Sequence, residues 1–112
     1  MENQTMYYIY ILYSQSSDKY YVGYTHNYQQ RLHQHNNSER TTYTSKHRPW
    51  ILAVVFECSE DRNEAVRIER WIKRQKNRSL IEKMIQGVEL TGVLAGLVRV
   101  SVPVPTAQRW SV

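Results

Sequence analysis

Two apolar, tyrosine-rich segments lie near the start of the chain, over residues 6–13 and 19–25. Both are rich in β-branched and aromatic residues and contain no proline, which predicts two β-strands. The polar run at residues 14–18 breaks the pattern and predicts a hairpin loop. Because both alternating faces of the first segment are apolar, we expect a central strand that is covered on both sides. Gly23, inside the second segment, indicates a bulge or a close approach by another backbone or a ligand.

After the second strand the apolar period becomes helical. Asn27 is suited to cap a helix over residues 28–35. Three residues at helical spacing share one face of this helix: Tyr28, Leu32 and His35. Arg31 lies at the edge of that face, where it is either a surface cation with its stem packed on the sheet or a functional cation. His35 is either an ordinary half-buried histidine or a site residue.

Three further elements follow a polar loop over residues 37–49. The near-continuous apolar run at residues 50–56 predicts a buried third strand. Capping-box spacing predicts a helix over about residues 62–76. The same spacing opens a last short helix over residues 79–85, which Gly87 ends.

Glu69 interrupts the apolar stripe of the predicted second helix. Three residues form that stripe: Ala65, Ile68 and Ile72. At about 100° per residue, Glu69 points into the same arc. A buried carboxylate is costly unless it is paired or bound to a metal ion. Glu69 is therefore either a metal ligand or a structural partner of Lys73 or Arg31.

The composition narrows the class of partner. The chain has 112 residues and a formal net charge of +5, which suits one domain and an anionic partner, with nucleic acid ahead of an anionic membrane surface. Cys58 is the only cysteine, so we expect neither an intramolecular disulfide nor a cysteine-based metal site. There is no signal-peptide pattern and no apolar run of membrane-spanning length, so we expect a cytoplasmic protein without a membrane partner.

Basic residues cluster on the outer side of the second helix and ahead of the third strand. Such a run is either a solvated face or a surface for phosphate contacts, and its single dominant sign favours phosphates. The predicted nucleic-acid-binding residues are Lys46, Arg48, Arg67, Arg70, Lys73, Arg74, Lys76 and Arg78.

Four features, in this order along the chain, resemble the GIY-YIG endonuclease superfamily. They are Tyr-Ile-Tyr at residues 8–10, Tyr-Val-Gly at residues 21–23, Arg31 eight residues past that glycine, and Glu69 in the second helix. The chain is most similar to the small stand-alone subfamily related to the nuclease domain of excision-repair enzymes, over about residues 6–85. The resemblance implies an α+β fold, with a small three-stranded, mainly antiparallel sheet flanked by helices.

The end of the chain has a different character from this region. We expect a GIY-YIG nuclease-like domain over residues 1–87 and a C-terminal tail over residues 88–112. The tail is rich in Val, Leu, Gly and Ser, carries little charge and has no helical period. It is expected either to be poorly ordered or to add one strand near residues 97–102.

The resemblance also implies a chemistry: hydrolysis of a DNA phosphodiester with one divalent ion, Mg²⁺ or Mn²⁺, and no nucleotide cofactor. Glu69 would be the metal ligand and Arg31 the phosphate-binding cation. Tyr10 and Tyr21 would supply active-site hydroxyls, and His35 matches a position that is often polar or aromatic. With an unperturbed pKa near 6.5, against about 10 for tyrosine, His35 is the better base for a water nucleophile. All five are expected to converge, with Arg31 and Glu69 on the same side of the sheet.

Two departures from the family pattern bear on activity. Tyr8 stands at the first glycine of the family name, as is usual in the small subfamily, and Tyr24 stands where repair-type members place a lysine, which removes a cation. Without a separate recognition module, we expect low sequence specificity and a role in DNA repair or processing. The alternative is a catalytically inactive nucleic-acid-binding module that uses the basic helix and exposed tyrosines as a stacking surface. Glu69 separates the two, because a pure binder has no use for a carboxylate among phosphate-binding cations.

Overall fold

A computed structural model describes residues 5–39 and 41–101 of the chain. Four antiparallel strands form one sheet within this part: β1 (Tyr7–Ser14), β2 (Lys19–Thr25), β3 (Trp50–Ser59) and β4 (Val98–Arg99). Their order across the sheet is β2-β1-β3-β4, so β2 and β4 are the edges. The α+β class and the antiparallel sheet are confirmed, but the expected number of three strands is wrong.

The fourth strand comes from the tail. β4 pairs with Phe56 and Glu57 of β3, and the Val100 N–H donates to the Val55 carbonyl just beyond it. The structure therefore favours the added strand over poor order for this part of the tail. Residues 102–112 lie outside the described residues, and the domain division at residue 87 stays a prediction.

The helices lie between and after the strands. They are α1 (Tyr28–Asn37), α2 (Arg62–Gln75) and α3 (Arg78–Gln86), with short 3-10 turns at Thr44–His47 and Gly92–Leu94. The predicted loop over residues 37–49 thus contains a helical turn, and α1 continues two residues past its predicted end.

Polar side chains set where the first two helices begin. Asn27 caps α1 by accepting a bond from a first-turn N–H, as the sequence predicts. Asp61 caps α2 in the same way. Glu64 does not complete a capping box there, because its carboxylate pairs with Arg67 on the next turn at 2.6 Å.

The start of α3 differs from its prediction. Asn77 caps this helix by accepting a bond from the Leu80 N–H, so the cap lies two residues before Ser79. Asparagine and serine are comparable caps, and spacing alone does not choose between them. Gly87 ends α3 in the left-handed conformation at φ 92°, as predicted.

Both faces of β1 are buried, which confirms a central strand covered on both sides. Ile9 and Ile11 face a core cluster that includes Ile68 and Ile72 of α2 and residues of α3. Tyr10 and the other residues of the opposite face pack in a second cluster with side chains of α1.

It follows that α1 and α2 pack on opposite faces of the sheet. We expected Arg31 and Glu69 on the same side of the sheet, and this is wrong for α1 and α2, the helices that carry them. Both helices lie beside the edge strand β2, so their side chains are able to approach each other around that edge.

Candidate active site at the edge of the sheet

Gly23 makes room for Tyr10 at the edge strand. The two residues are direct cross-strand partners in a regular register, so their side-chain positions share one face. A Cβ built on Gly23 would overlap the Tyr10 hydroxyl and ring. The close approach predicted at this glycine exists, but a tyrosine side chain makes it, and β1 and β2 pair there without a bulge. The ring of Tyr10 therefore crosses Gly23 and carries its hydroxyl toward the sheet edge.

A cleft of about 500 Å³ opens at this edge. Six of the residues that line it come from both strands of the hairpin and from two helices: Tyr10, Tyr21, Gly23, Arg31, Arg62 and Glu69. Arg31 and Glu69 thus reach one cleft although α1 and α2 lie on opposite faces. The edge strand permits this because no further strand separates the helices beyond it.

His35 lines a neighbouring cavity of about 590 Å³, which shares Tyr21 and Arg31 with the cleft. Its Nε2 lies 2.9 Å from the Tyr10 hydroxyl, and its Nδ1 lies 3.0 Å from the Thr44 hydroxyl. Both ring nitrogens are therefore used within the protein. Of the five predicted site residues, His35 is the one that the structure places behind the cleft.

Burial changes the acid–base properties of this pair. Desolvation, reinforced by the charges of Arg31, Arg48 and Lys73, lowers the pKa of His35 from 6.5 to about 4. Desolvation also raises the pKa of Tyr10 to about 12, against the opposing effect of Arg31. His35 is therefore neutral at pH 7. The expectation that His35 is a well-matched base, which used its unperturbed pKa, does not hold in this environment.

Hydrogen bonds hold the last turn of α1, which carries His35, against the start of β3. The Asn36 side chain exchanges two hydrogen bonds with the Trp50 backbone, at 2.9 and 2.6 Å. The Arg48 guanidinium donates to the carbonyls of His35 and Ser38. Arg48 is thus engaged in holding the helix end, which the sequence does not reveal when it assigns the residue to phosphate binding.

Glu69 is both a cleft residue and one member of an ion pair. Its side chain is 14% exposed, and its Oε2 lies 3.2 Å from the Lys73 ammonium one turn later. That ammonium also lies 4.9 Å from the centroid of the Tyr21 ring. The i, i+4 pair that the sequence left open as a structural role is present, together with the exposure to the cleft that a metal ligand needs.

The donor set of the cleft limits which ion it fits. In the described parts of the chain, no three His, Cys, Asp or Glu side chains are grouped as a metal site. Mg²⁺ commonly takes only one or two protein carboxylates and keeps several waters. Glu69 in an open cleft fits an ion of this kind, provided that the Lys73 ammonium moves away from the carboxylate.

The eight predicted phosphate-binding residues fall into two groups. Three besides Arg48 are in ion pairs: Arg67 with Glu64, Lys73 with Glu69, and Arg78 with Asp18 and Glu82. The others are exposed and make no ion pair with another described residue: Lys46, Arg70, Arg74 and Lys76. The second group offers unneutralised charge to a nucleic acid.

Tyr24 and Arg62 are among the cleft-lining residues that lie outside the predicted site. The Arg62 guanidinium donates to the Tyr24 hydroxyl at 2.6 Å. Strand alternation places Tyr24 on the face opposite Gly23, which is the face on which α2 packs. This alternation is the sequence signal by which a role for Tyr24 near α2 could have been predicted. The contact of Tyr24 with the first residue of α2 depends on how helix and sheet are docked, which no sequence spacing gives.

The family pattern of the GIY-YIG catalytic domain matches residues 6–84, which hold both strands of the hairpin, Arg31 and Glu69. The chain belongs to the GIY-YIG family. Three similar relatives are UPF0213 proteins. That of Haloquadratum walsbyi is 35% identical over 79 residues, which cover 68% of this chain and 86% of the relative. The Bacillus licheniformis protein is 34% identical (73% and 87% covered), and that of Limosilactobacillus reuteri is 30% identical (75% and 88%).

Membership of the GIY-YIG family supports a nuclease-like function for this domain. The two tyrosine-containing triplets lie in the central strand β1 and the edge strand β2, and Gly23 of the second triplet is the residue that the Tyr10 ring crosses. Among the described residues no helix combines the length and the apolar character that crossing a membrane requires.

Proposed function

We propose that this GIY-YIG protein is a metal-dependent endonuclease that hydrolyses DNA phosphodiesters with low sequence specificity, in DNA repair or processing. One observation supports this above the others: Arg31 and Glu69, from helices on opposite faces of the sheet, line one cleft with two tyrosines. A structural salt bridge would not require the cation, the carboxylate and the hydroxyls to face the same open space.

Arg31 is the proposed phosphate-binding residue. Its Nη1 donates to Gln34 on the same helix at 3.0 Å, which restrains the guanidinium without neutralising its charge. The remaining donors suit the paired oxygens of a phosphodiester. A cation fixed in this way stabilises the charge that develops on the phosphate in the transition state.

Glu69 is the proposed ligand of Mg²⁺ or Mn²⁺. Such an ion, when bound, would polarise the phosphate and lower the pKa of a coordinated water. The carboxylate is suited to this because it is nearly buried and its exposed part lies in the cleft. Lys73 would then turn toward a DNA phosphate, which is consistent with its exposed side chain.

Tyr10, His35 and Thr44 form a hydrogen-bonded chain that would position the Tyr10 oxygen. Tyr10 is the member that faces the cleft, so its oxygen would accept a hydrogen bond from the water nucleophile and orient it. Because its lowered pKa keeps His35 neutral, His35 would act as a positioning residue: with the proton on Nδ1, it accepts from the Tyr10 hydroxyl at Nε2 and donates to Thr44. Tyr21, at the junction of both cavities, would orient the water or the substrate.

The decisive experiment replaces Glu69 by Gln and uses Glu64→Gln as the matched control. Glu64 is an exposed carboxylate on the same helix that pairs with Arg67 and does not line the cleft. We expect the wild type and Glu64→Gln to cleave DNA in Mg²⁺ or Mn²⁺ and to stop in EDTA. Glu69→Gln should lose cleavage and keep DNA binding, with a stability within about 1 kcal/mol of wild type, because its ion pair is partly solvated.

The second candidate is a nucleic-acid-binding module without catalysis. The Glu69–Lys73 pair is the observation in its favour, since it gives the carboxylate a structural use. Binding without metal-dependent cleavage by the wild type, on single-stranded, duplex and branched DNA alike, would establish this candidate and reject the endonuclease.

A further inference from the structure

Arg62 is a cation of the cleft to which neither the family resemblance nor the proposed mechanism assigns a role. It is the first residue of α2, and its Nη2 donates to the Tyr24 hydroxyl at 2.6 Å. The guanidinium carbon also lies 5.4 Å from the centroid of the Tyr24 ring. The hydroxyl and the ring face of one tyrosine therefore both hold the same guanidinium.

Three acids lie within two residues of Arg62 in sequence, and none of them forms an ion pair with it in the described parts of the chain: Glu60, Asp61 and Glu64. Asp61 accepts the Asn63 N–H as the cap of α2, and Glu64 pairs with Arg67. Among the described residues, Arg62 makes no ion pair. A cation in the first turn of a helix is disfavoured by the helix dipole, so the site gains from an anion placed beside it.

The charge of the cleft depends on Arg62. Arg31 and Glu69 are the other charged residues in its lining, and Glu69 is paired with Lys73. Arg62 therefore adds a second positive charge beside Arg31, which favours entry of a phosphodiester. One of its five donors is used on Tyr24, and the others are available for the bidentate contact that arginine makes with phosphate.

Tyr24 is itself well placed to hold a side chain. It is half-buried, packs against the core cluster of α2, and its ring lies 6.5 Å from that of Tyr7. An exposed arginine on a free helix end would lose considerable side-chain entropy on binding a phosphate. Docking against a fixed aromatic ring reduces that loss before the ligand arrives.

We propose that Arg62 is a second phosphate-binding residue of the cleft and that Tyr24 is its positioning residue. The proposal rests on the proposed function for its ligand, a nucleic-acid phosphodiester. The proposal also gives Tyr24 a role: the strand position after Gly23 carries no cation of its own, but its tyrosine positions Arg62, a cation of α2. Phosphates in the cleft would then be bound from both faces of the sheet, by Arg31 on one side and Arg62 on the other.

The first test measures duplex DNA binding in the Glu69→Gln background, where cleavage cannot interfere. Binding constants are determined across a series of salt concentrations for this parent, for added Arg62→Ala, and for added Lys83→Ala. Lys83 is an exposed cation on α3 that does not line the cleft. Arg62→Ala should reduce the salt slope by about 0.9, the value of one duplex phosphate contact, and Lys83→Ala should leave it unchanged. An unchanged slope for Arg62→Ala overturns the proposal, whether or not the wild type is an enzyme.

The second test uses the active protein. Arg62→Ala should lower kcat/KM by about 10- to 100-fold, as expected for one charge-assisted hydrogen bond, and Arg62→Lys should recover part of it. Tyr24→Phe keeps the ring and removes the acceptor, so a smaller loss of about 3- to 10-fold is expected. The double variant should be no worse than Arg62→Ala alone, because Tyr24 acts through Arg62. Losses that multiply would show that Tyr24 acts independently and would reject its positioning role.

Discussion

Replacing Gly23 by Ala tests the arrangement on which the cleft depends. The change adds one methyl group on the face of β2 that Tyr10 crosses, where it would overlap the hydroxyl and ring of that residue. Alanine is otherwise acceptable there, since the position has ordinary strand pairing. The expected loss of stability therefore comes from the methyl group and not from backbone strain.

The magnitude follows from how firmly Tyr10 is held. Its side chain is 1% exposed and packs with Leu12, Trp50 and Val55. Forcing one methyl group into such a core costs about 1–3 kcal/mol. If the ring moves to avoid the overlap, His35 loses its partner at Nε2, which costs about 1–3 kcal/mol for a buried polar atom. Alanine regains about 0.5–1 kcal/mol over glycine in a strand, so we expect a net destabilisation of about 2–4 kcal/mol.

Urea unfolding of four proteins measures this: wild type, Gly23→Ala, Tyr10→Leu and the double variant. Leucine at position 10 is too short to cross Gly23, so Gly23→Ala in that background should be neutral or slightly stabilising. The resulting coupling energy should be about 2–5 kcal/mol, the difference between the effects of Gly23→Ala in the two backgrounds. Gly96→Ala is the matched control, because a Cβ there meets no atom within 4 Å, and its stability should change by no more than about 0.5 kcal/mol.

Additive effects of Gly23→Ala and Tyr10→Leu would refute this reasoning. So would a Gly23→Ala protein as stable as Gly96→Ala. Either result would mean that the Tyr10 ring does not lie across Gly23 in solution, and the route by which its hydroxyl reaches the cleft would be lost.

Three further results are expected. The pKa of His35 is about 4 in the folded protein and 6.5 in the unfolded chain, so the free energy of unfolding should be highest above pH 6.5 and fall by about 2–3 kcal/mol toward pH 4. His35→Gln should flatten this part of the pH profile, measured by urea unfolding. Arg31→Ala should lower kcat by about 10²–10³-fold in a cleavage assay, with Arg31→Lys intermediate, whereas equal rates would exclude Arg31 from the transition state. Arg74→Ala should reduce the salt slope of duplex binding by about 0.9 at unchanged stability, whereas Arg78→Ala should lower the melting temperature, because its guanidinium bonds Asp18 of the hairpin loop.

The local elements were determined largely by the sequence. The β-branched and aromatic content of residues 6–13 and 19–25, with a polar run between them, predicts the hairpin, and Asn27 and Gly87 mark helix ends where the structure has them. These features are local, because strand content, turns and helix caps depend on residues a few positions apart. The cap at Asn77 in place of Ser79, and the strand β4 with two residues, show the limit: comparable local signals compete, and packing selects among them.

The membership of the candidate site was also largely visible in the sequence, as an ordered set of residues with a family resemblance. Its geometry was not. Tertiary structure decided that α1 and α2 lie on opposite faces and still meet at β2, because that strand is an edge around which side chains from both faces can reach.

The protonation state of His35 and the identity of the free cations were decided by tertiary structure as well. Desolvation and nearby charges set the pKa of His35, and neither exists before the chain is packed. The sequence predicts Arg48 and Arg78 to be phosphate-binding residues. In the folded chain Arg48 donates to the His35 carbonyl and Arg78 donates to the Asp18 carboxylate. The sequence alone thus determined which groups are present, whereas burial and long-range contacts determined which of them remain available for chemistry.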